Sequence, residues 1–208
     1  TEPARPARGP GVGSPPRLVS VGSVTPLKGH DVLVEALERL RDRSWVCVCA
    51  GSLERAPDFA REVRTRVSAA GLESRILFLG ELDADELEAV YGTASLFVLP
   101  SRFEGYGMAL TEALARGLPV VSTTGGAIPG TVPADVGILV PPGDAPALAE
   151  ALAGLLESPE RLEERAAAAR RYAAELPDWS TQVEAFGRAV VELAGAGPPA
   201  TRCEGGGS

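Results

Sequence analysis

Six short apolar runs recur along the chain, at residues 18–22, 45–51, 76–79, 96–99, 120–122 and 136–140, and none alternates polar with apolar. A strand that is apolar on both faces has to be covered on both faces. Between successive runs lie stretches of helical periodicity, at 31–41, 58–70, 83–91, 108–116 and 145–156. Strands that alternate with helices in this way form a parallel sheet with helices on each side. Asp31, Asp58 and Asp83 read as N-caps, and Gly71 and Gly117 as C-terminal stops. Two more helices are expected at the end, over 159–176 and, beyond the break at Pro177, over 179–193. The fold class is therefore α/β: a doubly wound, six-stranded parallel sheet with extra C-terminal helices. Its expected strand order is 3-2-1-4-5-6, which puts a ligand crevice between strands 1 and 4.

The 208 residues, 45% hydrophobic, suffice for one large domain with a sizeable core. A net charge of −8 argues against nucleic acid or an anionic membrane as partner. No apolar run is long enough to span a bilayer, so any membrane contact is expected through another part of the protein. Residues 1–16 hold five of the eighteen prolines and three glycines without apolar periodicity, and read as an inter-domain linker from a preceding folded part. Residues 17–194 read as the domain and 195–208 as a flexible tail. Cys47 and Cys49 share one strand face and read as reduced core residues, with Cys203 in the tail; a cytoplasmic protein is expected.

Within this frame, residues 101–112 carry the chemistry: Ser-Arg-Phe-Glu-Gly-Tyr-Gly-Met-Ala-Leu-Thr-Glu. They leave strand 4 and open a helix. Gly105 and Gly107 let a ligand approach the backbone. The first amides of the helix favour an anion, most simply a phosphate. Glu104 and Glu112 only accept hydrogen bonds when ionised, so they suit a ligand that also carries hydroxyl groups. A sugar attached to a phosphate meets both requirements. The loop after strand 1, Gly22-Ser23-Val24-Thr25-Pro26-Leu27-Lys28-Gly29, would meet this stretch at the switch point, bringing Lys28 to Glu104 and to the Gly105 and Gly107 amides. That loop has no Gly-x-Gly-x-x-Gly, which argues against a dinucleotide. Asp83 and Asp85 read as an N-cap and a first-turn acid rather than metal ligands. His30, the only histidine, is not expected to be catalytic, and the Gly125-Gly126 pair reads as a tight turn. No metal-ligand cluster is visible, so no metal and no other cofactor is expected.

Val21-Gly22, Lys28-Gly29-His30-Asp31, the Glu104-to-Glu112 motif, Gly117-Leu118-Pro119-Val120-Val121 and Pro141-Pro142-Gly143-Asp144 together resemble the C-terminal half of retaining glycosyltransferases of family 4. The resemblance covers residues 18 to 193. It implies one Rossmann-like half of a GT-B fold, with a nucleotide-sugar as donor and the acceptor held mainly by an N-terminal domain outside this chain. It further implies that Lys28 contacts the donor diphosphate and that Glu104, the first glutamate, lies against the donor sugar, so that these two carry the catalytic role. Glu112 would accept from the ribose hydroxyls. Gly105, Tyr106, Gly107, Met108, Ala109 and Leu110 would face sugar and diphosphate with their backbone, Gly22 and Ser23 would border the diphosphate, and Gly80 would lie near the base. The helices past Pro177-Asp178-Trp179 would pack back across to the other domain.

Two positions depart from the pattern. The family commonly has an arginine after the strand-1 glycine, where this chain has Ser23, and a glutamate where it has Gly130. Either another basic group such as Arg102 replaces the missing charge, or donor affinity is reduced. The competing functions are a GT-B epimerase, and a non-catalytic sugar-nucleotide-binding or interaction module. A phosphorylase would need a second lysine for pyridoxal phosphate, and Lys28 is the only lysine in the chain.

Overall fold

The computed structural model of the chain describes residues 4–11 and 13–176. Six strands, β1 (Arg17–Val21), β2 (Val46–Ala50), β3 (Ile76–Gly80), β4 (Leu96–Leu99), β5 (Val120–Thr123) and β6 (Gly137–Val140), pair in parallel in the order β3-β2-β1-β4-β5-β6. The expected order and direction are those of the molecule. Every residue of β4 and β5 is buried, because helices cover both faces of the central sheet. Leu18 and Val19 are neighbours in sequence, yet each is wholly buried in a different core. Leu18 packs with Cys47, Cys49, Val98 and the inner side of α1 (His30–Glu38), α2 (Pro57–Ala69) and α6 (Ala145–Leu156). Val19 packs with Val48, Phe97 and Val120 against Tyr91 at the end of α3 (Ala84–Gly92), α4 (Met108–Ala115) and α7 (Pro159–Glu175). Cys47 and Cys49 are buried and unbridged.

Helix ends were read correctly in part. Asp83 caps α3 through a full capping box: its side chain accepts from the Glu86 amide, and the Glu86 carboxylate accepts from its own. Gly71 and Gly117, at φ 68° and 69°, follow α2 and α4 as left-handed stops. Asp31 and Asp58, however, are not caps. Helix α2 starts at Pro57 with Ala56 before it, since a proline's fixed φ and missing N–H suit the first helical position. Helix α1 starts at His30, directly after the left-handed Gly29, and Asp31 lies inside its first turn. Helix α1 also stops at Glu38, and Leu40 and Arg43 close turns beyond it. Two short elements went unforeseen, a 3₁₀ turn at Pro26–Lys28 and a single helical turn α5 (Ile128–Thr131). Both hold a proline near their start, at Pro26 and Pro129, where its fixed φ suits the first helical turn.

Within residues 1–16, the Ala7 and Arg8 amides donate to Arg116 O (3.0 Å) and Gly92 O (2.9 Å), so this part of the chain lies against α3 and α4. The helix expected over 179–193, the Pro177-Asp178-Trp179 break, Cys203 and the tail lie outside the described residues. Among the described residues no helix is long and apolar enough to cross a membrane.

Candidate functional site

Strand β1 lies between β2 and β4 and runs parallel to both, so the loops leaving β1 and β4 emerge side by side at the carboxyl edge. The 3₁₀ turn carries Lys28 out of the first loop, and its Nζ donates to Glu104 Oε1 at 2.5 Å. These residues are 76 positions apart, and the strand order alone brings them together. The Lys28 side chain is 26% exposed and that of Glu104 9%, so the pair is open to a ligand mainly on the lysine side. Ser101 Oγ donates to the same Glu104 oxygen at 2.6 Å. The Lys28 methylenes run 3.5–3.7 Å from where a Cβ on Gly22 would sit, so Gly22 leaves room for the lysine stem.

Two further glycines hold this pair in place. Gly29 has φ 72°, and a Cβ there would collide with the Pro100 carbonyl. Only glycine combines that conformation with so close an approach of the two loops. Gly126 has φ 66°, and its missing Cβ leaves space for Glu104 O, which accepts from the Ala127 amide at 2.8 Å. Glu104 and Gly126 form a parallel bridge. Thr123 Oγ1 completes the clamp, donating to Ser101 O at 2.5 Å and accepting from the Gly125 amide at 3.1 Å. The Gly125-Gly126 pair is therefore more than a turn, because it anchors the backbone of the glutamate loop. Its sequence signal, two glycines just past a strand at the edge that carries the site, was visible but could not be read without knowing what lay opposite.

Gly107, at φ 78°, sits at the N-cap of α4 with no side-chain cap, and its carbonyl accepts from Leu110 and Thr111. Among the described residues the amides of Met108 and Ala109 find no acceptor, so the start of α4 offers free donors. Tyr106 and Met108 are 72% and 70% exposed, and Leu27 and Phe103, on the two loops of the site, are exposed as well. Glu112 stands exposed on α4, and its Oε2 accepts from Tyr91 Oη at 3.2 Å. Gly80 ends β3 at the outer edge of the sheet, with β2 between it and β1, so it borders the site without touching the Lys28–Glu104 pair.

Arg102 is not free to stand in for a second cation. Its guanidinium holds Asp31 through two hydrogen bonds of 2.7 and 3.0 Å and also donates to Pro26 O. Burial alone would raise the Asp31 carboxyl, but the Arg102 hydrogen bond and charge outweigh it, leaving the group below its ordinary range. Arg102 thus ties the β1 loop to the β4 loop and is committed to Asp31 rather than available to replace the charge missing at Ser23.

His30 follows Gly29 directly and is 1% exposed, and among the described residues neither ring nitrogen has a hydrogen-bond partner. Burial lowers its pKa from 6.5 to about 4; Asp31 opposes this and Lys28 adds to it. A neutral, enclosed imidazole is poorly placed for proton transfer to a ligand. Among the described residues no group of three or more His, Cys, Asp or Glu side chains is placed to hold a metal ion. A groove of about 760 Å³ between α2 and β3, lined by Leu53, Arg64, Phe78 and Leu79 among others, contains none of the residues of this site.

The family model described as glycosyl transferases group 1 matches residues 7–173. The D-inositol 3-phosphate glycosyltransferase of Salinispora tropica is 33% identical over 184 residues, covering 83% of this chain and 38% of its own length. Among solved structures, sucrose-phosphate synthase from Thermosynechococcus elongatus superposes with a TM-score of 0.78 at 29% identity, over 88% of this chain and 46% of its own. Anabaena Alr3699/HepE, solved in complex with UDP-glucose, gives a TM-score of 0.75 at 25% identity, over 85% of this chain and 49% of its own. The chain thus spans less than half the length of each of these relatives.

Proposed function

The chain belongs to the group 1 glycosyl transferases, and from that premise we propose that it is the donor-binding half of a retaining enzyme that transfers a sugar from a nucleotide-sugar to an acceptor held by another domain. Its fold is one Rossmann-like half of a GT-B enzyme. The observation that carries the reading is the 2.5 Å Lys28–Glu104 pair at the β1/β4 switch point, beside the free amides that open α4. A diphosphate next to a carboxylate would be repelled unless a cation lies between them. The Lys28 ammonium has three donors, so it can keep Glu104 and still bind a phosphate oxygen. The start of α4 adds neutral donors and the positive end of the helix dipole. Glu104, held by Ser101 and Lys28, is then the carboxylate that meets the donor sugar, and Glu112 the one that meets the ribose. The complex of HepE with UDP-glucose supports a nucleotide-sugar as the ligand class. In a same-face reaction the donor phosphate would help take the acceptor proton while Lys28 and the α4 amides stabilise the charge that develops on it.

Calorimetry with UDP and GDP tests the site. Lys28→Ala should weaken the better ligand about ten- to a hundredfold, the roughly 1.5–3 kcal/mol expected for a charge-assisted contact. Equal affinity for the two proteins would take Lys28 out of the site. Binding should also survive chelation, because Lys28 and helix amides supply the positive potential. A collapse in EDTA that Mn²⁺ or Mg²⁺ restores would give a metal the role assigned here to Lys28.

Ser23, with Arg102 committed to Asp31, favours a second reading, a non-catalytic sugar-nucleotide-binding module. The two separate on donor hydrolysis by the chain. A slow release of sugar that Glu104→Gln abolishes belongs to an enzyme, and tight binding with no release at all belongs to a module.

A further inference from the structure

We infer that Tyr91 is a positioning residue for the ribose of the donor, acting by holding Glu112 in one orientation; the inference rests on the donor-site reading above. Tyr91 lies at the end of α3 and is 0% exposed, yet it carries a polar tip. Among the described residues that tip has one partner, Glu112 Oε2, at 3.2 Å. A phenol offers a single O–H, and an ionised carboxylate can only accept, so the direction of the bond is settled by chemistry. Burial first, and the Glu112 charge second, push the phenol pKa well above its ordinary value, which keeps the proton in place.

The ring itself is fully buried and packed on its neighbours. It stacks on Phe97 with centroids 6.1 Å apart and planes 23° apart, and the Arg116 guanidinium covers it 4.3 Å from the centroid. Arg116 is fixed in turn by two bonds to Glu88 Oε2, of 3.1 and 2.8 Å, and one to Glu112 O at 3.0 Å. A rigid donor thus grips one oxygen of an otherwise exposed glutamate. Among the described residues nothing else donates to that carboxylate, so Oε1 is left for an incoming hydroxyl. A flexible glutamate would have to surrender rotamer freedom on binding, whereas this one has done so in advance. The network also runs from α3 through Arg116 to the Ala7 amide, which donates to Arg116 O.

The test compares UDP and GDP with their 2′,3′-dideoxy forms on the 208-residue chain and on Tyr91→Phe, which keeps the ring and loses only the hydroxyl. The wild type should prefer the ribose form by about tenfold or more, the size of one hydrogen bond to a charged group. Tyr91→Phe should lose at least half of that preference on a logarithmic scale while binding the dideoxy form as well as before. A packing role alone would weaken both forms equally and leave the ratio unchanged, and that result overturns the inference. If the wild type itself ignores the ribose hydroxyls, Glu112 does not read the ribose and the premise fails first. Should Tyr91→Phe not fold, Glu112→Asp, at an exposed helix position, draws the carboxylate back by one methylene from Tyr91. Full retention of the ribose preference in that variant overturns the inference as well.

Discussion

Acidifying the protein from pH 6.5 to pH 4 should lower its folding stability by up to about 3 kcal/mol, and His30→Leu should remove most of that loss. The sign follows from proton counts. In the unfolded chain His30 takes up its proton near 6.5, whereas in the folded chain burial delays this to about 4. Between those values the unfolded state binds more protons, so stability rises with pH. The contribution is full above 6.5, falls as the pH drops towards 4, and is exhausted below it. At roughly 1.4 kcal/mol per pH unit, the gap corresponds to about 3 kcal/mol. Burial sets the direction: Asp31 favours the charge and Lys28 opposes it, and among the described residues neither ring nitrogen has a hydrogen-bond partner. Leucine fills similar space and carries no titrating group. Urea unfolding at pH 7 and pH 4.5 measures the effect; parallel losses in the wild type and His30→Leu would show that other groups set the acid limit.

For activity, the largest expected effect is that these 208 residues bind donor but do not transfer sugar to an acceptor. Catalysis of this kind gains its rate by holding two reactants in register, with effective molarities of about 10⁵–10⁸ M when the geometry is right. On the proposed reading, Lys28, Glu104 and Glu112 account for one reactant only. The chain covers 38% of the Salinispora relative and 46% of the sucrose-phosphate synthase, so an acceptor site elsewhere fits the arithmetic of length. Incubation with UDP-glucose or GDP-mannose should give slow hydrolysis at most, and supplying a separately folded N-terminal half should restore some transfer. Sustained transfer to a defined acceptor by this chain alone would defeat the two-domain reading.

The order of the strands and the meeting of Lys28 with Glu104 were legible because both follow from local patterns and a general rule. Apolar runs without alternation force a covered parallel sheet, and right-handed crossovers bring the ends of strands 1 and 4 together. Asp83 was legible as a cap because its capping box is complete within four residues. Asp31 and Asp58 were not, because a neighbouring Gly29 or Pro57 competes for the same helix start and prevails on backbone geometry.

What the amino-acid order determined by itself was which chemical groups arrive at the carboxyl edge: one lysine, two carboxylates eight residues apart, and a glycine-bearing loop that opens a helix. The tertiary structure decided which of those groups are free. Arg102, eligible by charge, is consumed by Asp31, and the Gly125-Gly126 turn becomes the clamp on Glu104. Tyr91, silent in the sequence, becomes the grip on Glu112. Each of these depends on a partner 20 or more residues away, and hydrogen-bond partners at that separation are set by packing rather than by any local propensity.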